Sequence, residues 1–244
     1  MAIELPDELV WVMDLMGLNW PQVNEDAVHE FAGHVRTFAG DIGASQEQAS
    51  ETINAMAACY EGSSYDRLAE TWSRLATSHM TELIQGCEMA AVALEVAAAI
   101  IVAAKIAVIA QLIFIAAQLA VAAATAIVTL GAAAAAEAAL IQVTKKVVNE
   151  LLERALEEVI AHLATQAVEP LEEIVGRALK GLVLKGVESA SEAIAGPADA
   201  GGGTGFSIHP DELLKHADDF KKHSEAVAGH AVKFSNAASG VSFG

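Results

Sequence analysis

Proline is nearly missing from this chain. Of 244 residues five are proline, and none falls between Val23 and Pro170. Proline breaks helix interiors, so a run of that length without it leaves room for very long helices. Aromatic residues are scarce at 5%, although 54% of the chain is hydrophobic. The apolar content is therefore mostly alanine and small aliphatics, which favour helix over strand. Together these absences exclude a β-rich body and predict an all-α fold. The only cysteines are Cys59 and Cys87, too few for a disulfide scaffold. If the chain reverses at Gly62, Cys87 lies about 25 residues along the second helix, roughly 37 Å from the turn. Cys59 sits beside that turn, so a bridge is excluded and both are expected as buried thiols. Basic residues are also short: residues 1–88 hold fifteen Asp and Glu against three Arg and no Lys, within a net charge of −18. Nucleic acid binding needs clustered Lys and Arg, and an anionic membrane surface repels such a region. Acidity of this kind suits solubility and a basic partner. The start, MAIELPDELVW, is acidic where a secretory signal is basic, so any export is expected to use a route independent of that signal.

What is present is helical periodicity. Leu5, Leu9, Val12, Met13 and Met16 mark a short amphipathic helix over 4–18, stopped by Gly17. Asn24 is then an N-cap candidate, with Glu25 and Asp26 favourable in the first turn. The next apolar positions are Val28, Phe31, Val35, Phe38, Ile42, Ala49, Ile53, Met56 and Tyr60; a second series follows at Tyr65, Leu68, Trp72, Leu75, His79 and Leu83. Steps of three and four describe helices packed lengthwise. Joined by about four residues, the two must run antiparallel. Gly62 is expected to C-cap the first helix, and Ser63 or Ser64 to N-cap the second.

An acidic, alanine-rich hairpin with Tyr60-Glu61-Gly62 at its corner resembles the small Trp-x-Gly substrates of type VII (ESX) secretion, with tyrosine in place of tryptophan. With LPDELVWVMDLMGLNWPQVNEDAV before the hairpin and an apolar helix after it, residues 5–185 look like the Trp-x-Gly-like N-terminal domain of CpnT-like actinobacterial polymorphic toxins. The resemblance implies a secretion module read through its turn, Tyr60, Glu61 and Gly62. It also implies a seam at Phe31, Val35, Phe38, Tyr65, Leu68 and Trp72, where a small Trp-x-Gly-type partner or a further copy would pack. The machinery of type VII secretion would be the other partner, and the protein would be cytoplasmic before export, with surface or membrane association afterwards. No Tyr-x-x-x-Asp/Glu signal follows the turn, since Ala69 stands four residues after Tyr65. Aromatic burial at a helix end also accounts for Tyr60 without a recognition role.

Between Lys105 and Glu137 lie 31 residues without a formal charge, long enough to span a bilayer. Fourteen of them are alanine, and Gln111, Gln118, Thr125 and Thr129 interrupt the run. Such a helix, about 89–136, is either the central helix of a bundle or a membrane-inserting element; the resemblance adds a pore or translocation role to the second reading. Residues 140–169 return to an amphipathic pattern, with Val143, Val147, Leu151, Leu152, Leu156, Val159, Ile160 and Leu163 on one side and Lys146, Glu150, Arg154 and Glu158 on the other. Pro170 is expected to kink or end that helix. The architecture expected is an elongated bundle: the hairpin, the alanine-rich apolar helix and the acidic amphipathic helix.

GPADAGGGTG, residues 196–205, reads as a flexible linker, which divides a 1–195 domain from a single amphipathic helix at 206–244. A phosphate loop would continue with Lys-Ser/Thr, where this chain has FSIHP. The tail has a seam at Leu213, Ala217, Phe220, Val227, Ala231 and Phe234, and resembles the opening helix of a second secretion-substrate unit of the EspC or Trp-x-Gly kind. One helix of this length is marginal alone. It docks on the first domain, pairs with another chain or belongs to a longer polypeptide that carries an effector; the last is the expectation. His209, His216, His223 and His230 recur every seven residues, about 10.5 Å apart on a helix, too far to share one metal ion. They are expected to border the seam, and charging them is expected to weaken tail docking.

HEFAGH at residues 29–34 has its histidines five apart, which separates them by about 140° around a helix. A zinc-protease motif needs four. No nucleophile, paired-carboxylate or ligand cluster stands out, so no catalytic residue, metal or cofactor is expected.

Overall fold

The computed structural model describes residues 2–129, 133–174, 176–177 and 207–244. It is a helical bundle, as the composition predicts. The 196–205 linker and residues 178–195 lie outside the described residues.

The chain forms two compact units. One comprises residues 1–31, 92–164 and 241–244. Here α1, Asp7–Met16, starts after Pro6, whose carbonyl accepts the Leu9 N–H at 2.8 Å. It ends at Gly17, which takes the left-handed conformation (φ 61°) that a side chain would disfavour. Helix α2, Glu25–Met56, begins as expected: the Asn24 side-chain oxygen accepts the Ala27 N–H at 3.2 Å. Leu9, Val12, Met13 and Met16 of α1 pack on Val108, Leu112, Ile115 and Leu119 of α4, Thr81–Thr129, and on Val148 of α5, Ala133–Leu163.

The α5 stripe is narrower than its apolar pattern. Val148 and Thr144 are buried, while Val143, Leu156 and Ile160 face solvent. Pro170 does not end the helical run. A π-helical turn at Ala164–Val168 precedes it, and residues 169–174 stay helical. A wide turn just upstream is one way to absorb the hydrogen bond proline cannot make.

Among the described residues, two opposite charges lie buried inside this unit. Lys105, 2% exposed, forms an ion pair at 2.7 Å with Glu25, also 2% exposed. Its ammonium also donates to the carbonyls of Val23 (2.7 Å) and Ile3 (3.0 Å) and lies 5.8 Å from the centre of the Trp20 ring. The three N–H donors of a lysine are thus all engaged. Burial alone would raise the Glu25 carboxyl pKa. The hydrogen bonds from Lys105 and from the Ile3 N–H outweigh it and hold the group below its ordinary value. This clamp ties the N-terminal segment and the start of α2 to the apolar helix.

The other unit comprises residues 32–91 and 165–240. In it α2 is followed by β1, Tyr60–Glu61, then α3, Ser63–Arg74, a π-helical turn at Leu75–Met80, and the first part of α4. Strand β2, Ser207–Ile208, pairs antiparallel with β1, and α6, Pro210–Gly240, completes the unit. Cys59 and Cys87 are buried free thiols, and burial pushes the Cys87 thiol up.

Candidate partner-binding seam

The hairpin is built from side chains that bridge two antiparallel rods. The Tyr65 hydroxyl donates to the Ile53 carbonyl (3.2 Å), Trp72 Nε1 donates to Ser50 Oγ (2.9 Å), and Gln46 Nε2 donates to the Ala76 carbonyl (3.1 Å). Arg36 and Glu88 lie 3.4 Å apart. Partner numbers fall along α2 as they rise along α3 and α4, which is the signature of a reversal. The Ala76 carbonyl sits in the π-helical turn and also accepts the Thr81 hydroxyl at 3.1 Å. A widened turn leaves carbonyls open to side-chain donors in this way.

At the corner, the expected capping scheme needs correction. Helix α2 stops at Met56, and Gly62 caps the start of α3 instead of the end of α2. Its φ of 137° suits glycine, and its carbonyl accepts the Tyr65 (3.0 Å) and Asp66 (3.2 Å) N–H groups. Neither Ser63 nor Ser64 is the cap; the N-cap is Gly62, which has no side chain to offer. Tyr60 and Glu61 are extended because they pair with Ile208 and Ser207, and the His209 N–H donates to the Cys59 carbonyl at 2.8 Å. Tyr60 is half-buried with its ring 6.2 Å from Tyr65; Glu61 is exposed.

The flank of the hairpin is where the tail helix lies. Phe234 of α6 stacks on Phe38 at 5.1 Å, and Phe220 meets Trp72 at 6.1 Å. Lys233 reaches Asp41 at 2.8 Å, His230 Nε2 lies 3.0 Å from Ser45 Oγ, and His223 Nε2 lies 3.0 Å from Thr52 Oγ1. Helix α6 therefore runs antiparallel to α2. Of the residues expected to form the seam, Phe38 and Trp72 touch the tail, Val35 is buried, Tyr65 binds back onto α2, and Leu68 is 38% exposed. Phe31 falls in the other unit, where its ring meets Phe243 at 5.9 Å and the Asn24 N–H donates to the Phe243 carbonyl.

The tail seam also differs from the one expected. Ala217 and Ala231 are exposed, while His216, His223 and His230 lie on the half-buried face with Phe220, Val227 and Phe234. These three histidines are part of the seam and not its border, whereas His209, just before the helix, is exposed. The signal was in the sequence: seven-residue spacing keeps them on one face, in step with the two phenylalanines.

Their surroundings set the response to pH. Thr52 Oγ1 donates to the Gln48 carbonyl at 3.0 Å and also lies 3.0 Å from His223 Nε2. Asp41 stands 3.6 Å from His230 Nδ1, and Asp219 lies near both His216 and His223. Lys233 beside Asp41 and Lys222 beside Asp219 hold both carboxyls below their ordinary values. A carboxyl depressed by folding adds stability above its unfolded pKa, about 3.9 for Asp, and loses it as pH falls through the lower folded value. Both remain anionic at pH 5, each paired with its lysine at 2.7–2.8 Å. Hydrogen exchange of residues 210–240 at pH 5 and pH 8, corrected for intrinsic rates, tests the expected weakening of docking on acidification: loss of protection at pH 5 is expected, and unchanged protection contradicts it.

Against known proteins, a family model for the WXG100 like domain matches residues 2–147. That stretch takes in the hairpin and stops short of the tail. No curated protein and no solved structure matches the chain.

Proposed function

Because the chain belongs to the WXG100-like family of type VII secretion-associated helical proteins, we propose that it is a non-catalytic targeting module of that pathway. In this reading it pairs helix against helix with a small Trp-x-Gly-type partner and precedes a toxin in a CpnT-like arrangement. It leaves the cell by a route that does not use a secretory signal. The observation that carries the reading is the antiparallel hairpin within the matched residues, with Tyr60-Glu61-Gly62 at its reversal. The tail lies outside the match, on the flank where a partner helix would pack, and it covers Phe38 and Trp72 until the partner takes its place.

The test is co-expression with small helical WXG100 proteins, and export in a strain with and without a working type VII apparatus. A stable complex and loss of export without the apparatus are expected. Absence of any complex, with export unchanged by loss of the apparatus, contradicts the proposal.

A second reading, insertion of residues 89–136 as a pore or translocation element, draws on one observation. The helical run Tyr65–Val121 is long and apolar enough to cross a membrane by length and composition. Against it stands the Lys105–Glu25 pair, which insertion of the apolar helix would have to break or carry into lipid. Dye release from vesicles at pH 7 and pH 5 separates the two readings.

A further inference from the structure

Helix α1 leaves its largest side chain half in solvent. Leu9, Val12, Met13 and Met16 turn one face of the helix inward. At about 100° per residue, Trp11 falls close to the opposite side, where an amphipathic helix calls for a polar residue. Trp11 and Leu15, about one turn further on, are each 50% exposed, and Val10 is 41% exposed. Asp7, Glu8 and Asp14 stand within a turn of Trp11 on the same face. All three carboxylates are exposed, and none makes an ion pair among the described residues. Residues 2–24 hold four Asp and Glu and no Lys, Arg or His. Lys145 of α5 lies beside Gly17, about 9 Å further along the axis than Trp11, so the tryptophan is framed by negative charge.

We infer that this face of α1 is a docking surface for a basic protein partner, one that presents arginine beside an apolar side chain. The inference does not depend on the hairpin seam or on the secretion reading. The chemistry of the face selects the occupant. An exposed indole with carboxylates within one turn suits a guanidinium, which lies flat on the ring while its N–H fork reaches a carboxylate. An ammonium is a point charge and can serve only one of those contacts well. Leu15 adds an apolar contact beside the indole. An aromatic anchor within a polar ring is the make-up of an interface hot spot. The same carboxylates turn other occupants away. Nucleic acid and anionic lipid are repelled, and a second copy laid on this face would set Asp7, Glu8 and Asp14 against their own like charges.

The probe is a synthetic helical peptide with arginine and leucine four residues apart, titrated into the nitrogen-15-labelled full chain. The chain has three tryptophans, so the indole N–H signals can be assigned by substitution. The Trp11 signal should shift on titration while that of Trp72, in the hairpin, stays in place. Trp11→Ala should weaken binding about tenfold or more, with helicity unchanged because the side chain is half exposed. Asp7→Asn combined with Asp14→Asn should weaken it too and flatten its dependence on salt. A lysine version of the peptide should bind several-fold more weakly, and an arginine–serine version of equal charge about tenfold more weakly. A Trp11 signal that does not move at millimolar peptide overturns the inference. So does an arginine–serine or lysine peptide that binds as tightly, which marks general attraction to a molecule of net charge −18. So does an affinity indifferent to Trp11→Ala, or a Trp11 signal that responds instead to chain concentration alone or to zwitterionic vesicles.

Discussion

Replacing Lys105 by methionine is expected to destabilise its unit by about 3–5 kcal/mol, out of a total of roughly 5–15 kcal/mol for a typical domain. The side chain fits by volume, so packing is not the reason. Removing the ammonium leaves the Glu25 carboxylate buried without its counter-charge, and leaves the Ile3 and Val23 carbonyls without their donor. The sign of the pH dependence follows. In the native chain the Glu25 pKa is lowered from 4.5, so its contribution is complete above that value and is lost as pH falls through the lower folded one. In the variant the same carboxyl is desolvated and unpaired, its pKa rises, and the deficit shrinks toward pH 4 as it takes up a proton. A Lys105→Met, Glu25→Gln double variant should recover part of the loss at pH 7. Urea unfolding at pH 7 and pH 4.5 measures all of this. A loss below about 1 kcal/mol, the range of exposed pairs, would show that the pair is not buried.

Leu112→Ala should cost about 2–5 kcal/mol. Leu112 is fully buried in the cluster with Met13, Met16 and Val148. α1 is a short helix held there by its four buried side chains, so a cavity beside it cannot close without moving the helix. Val143→Ala on α5 removes two methyl groups from a residue 62% exposed and should change stability by less than about 0.5 kcal/mol. From sequence alone both lie in apolar runs, so equal losses for the two would contradict the faces assigned to these helices.

Much of the fold could be read from the chain because local chemistry decides it. Proline's absence and alanine's abundance specify long helices, Gly17 and Asn24 act where their backbone and side-chain preferences place them, and the two aromatic-bearing periodic runs around Gly62 must fold back. The misplaced details were those set by distant partners. Gly62 looked like the end of α2 because nothing local shows that Tyr60 and Glu61 pair with residues 207 and 208. The apolar stripe of α5 is only partly covered, since periodicity reports a face and not its cover. The tail's histidines looked like a border because imidazole is polar, yet hydroxyls at Ser45 and Thr52 on α2 receive them. Lys105 was visible as a lone charge in an apolar run, and a buried lysine requires a partner. Its partner, Glu25, is eighty residues away and is named by no pattern.

The ion pair between Lys233 of α6 and Asp41 of α2, 2.8 Å apart with Lys233 solvent-accessible, allows the tail to be located directly. A water-soluble carbodiimide joins an amine to a carboxylate only at such contact. Applied to an equal mixture of unlabelled and nitrogen-15 chains, it should give a linked peptide containing Lys233 and Asp41 with both halves of the same isotope, from protein that migrates as a monomer. Linked peptides of mixed isotope, or no Lys233–Asp41 link at all, would mean that α6 does not lie along its own hairpin.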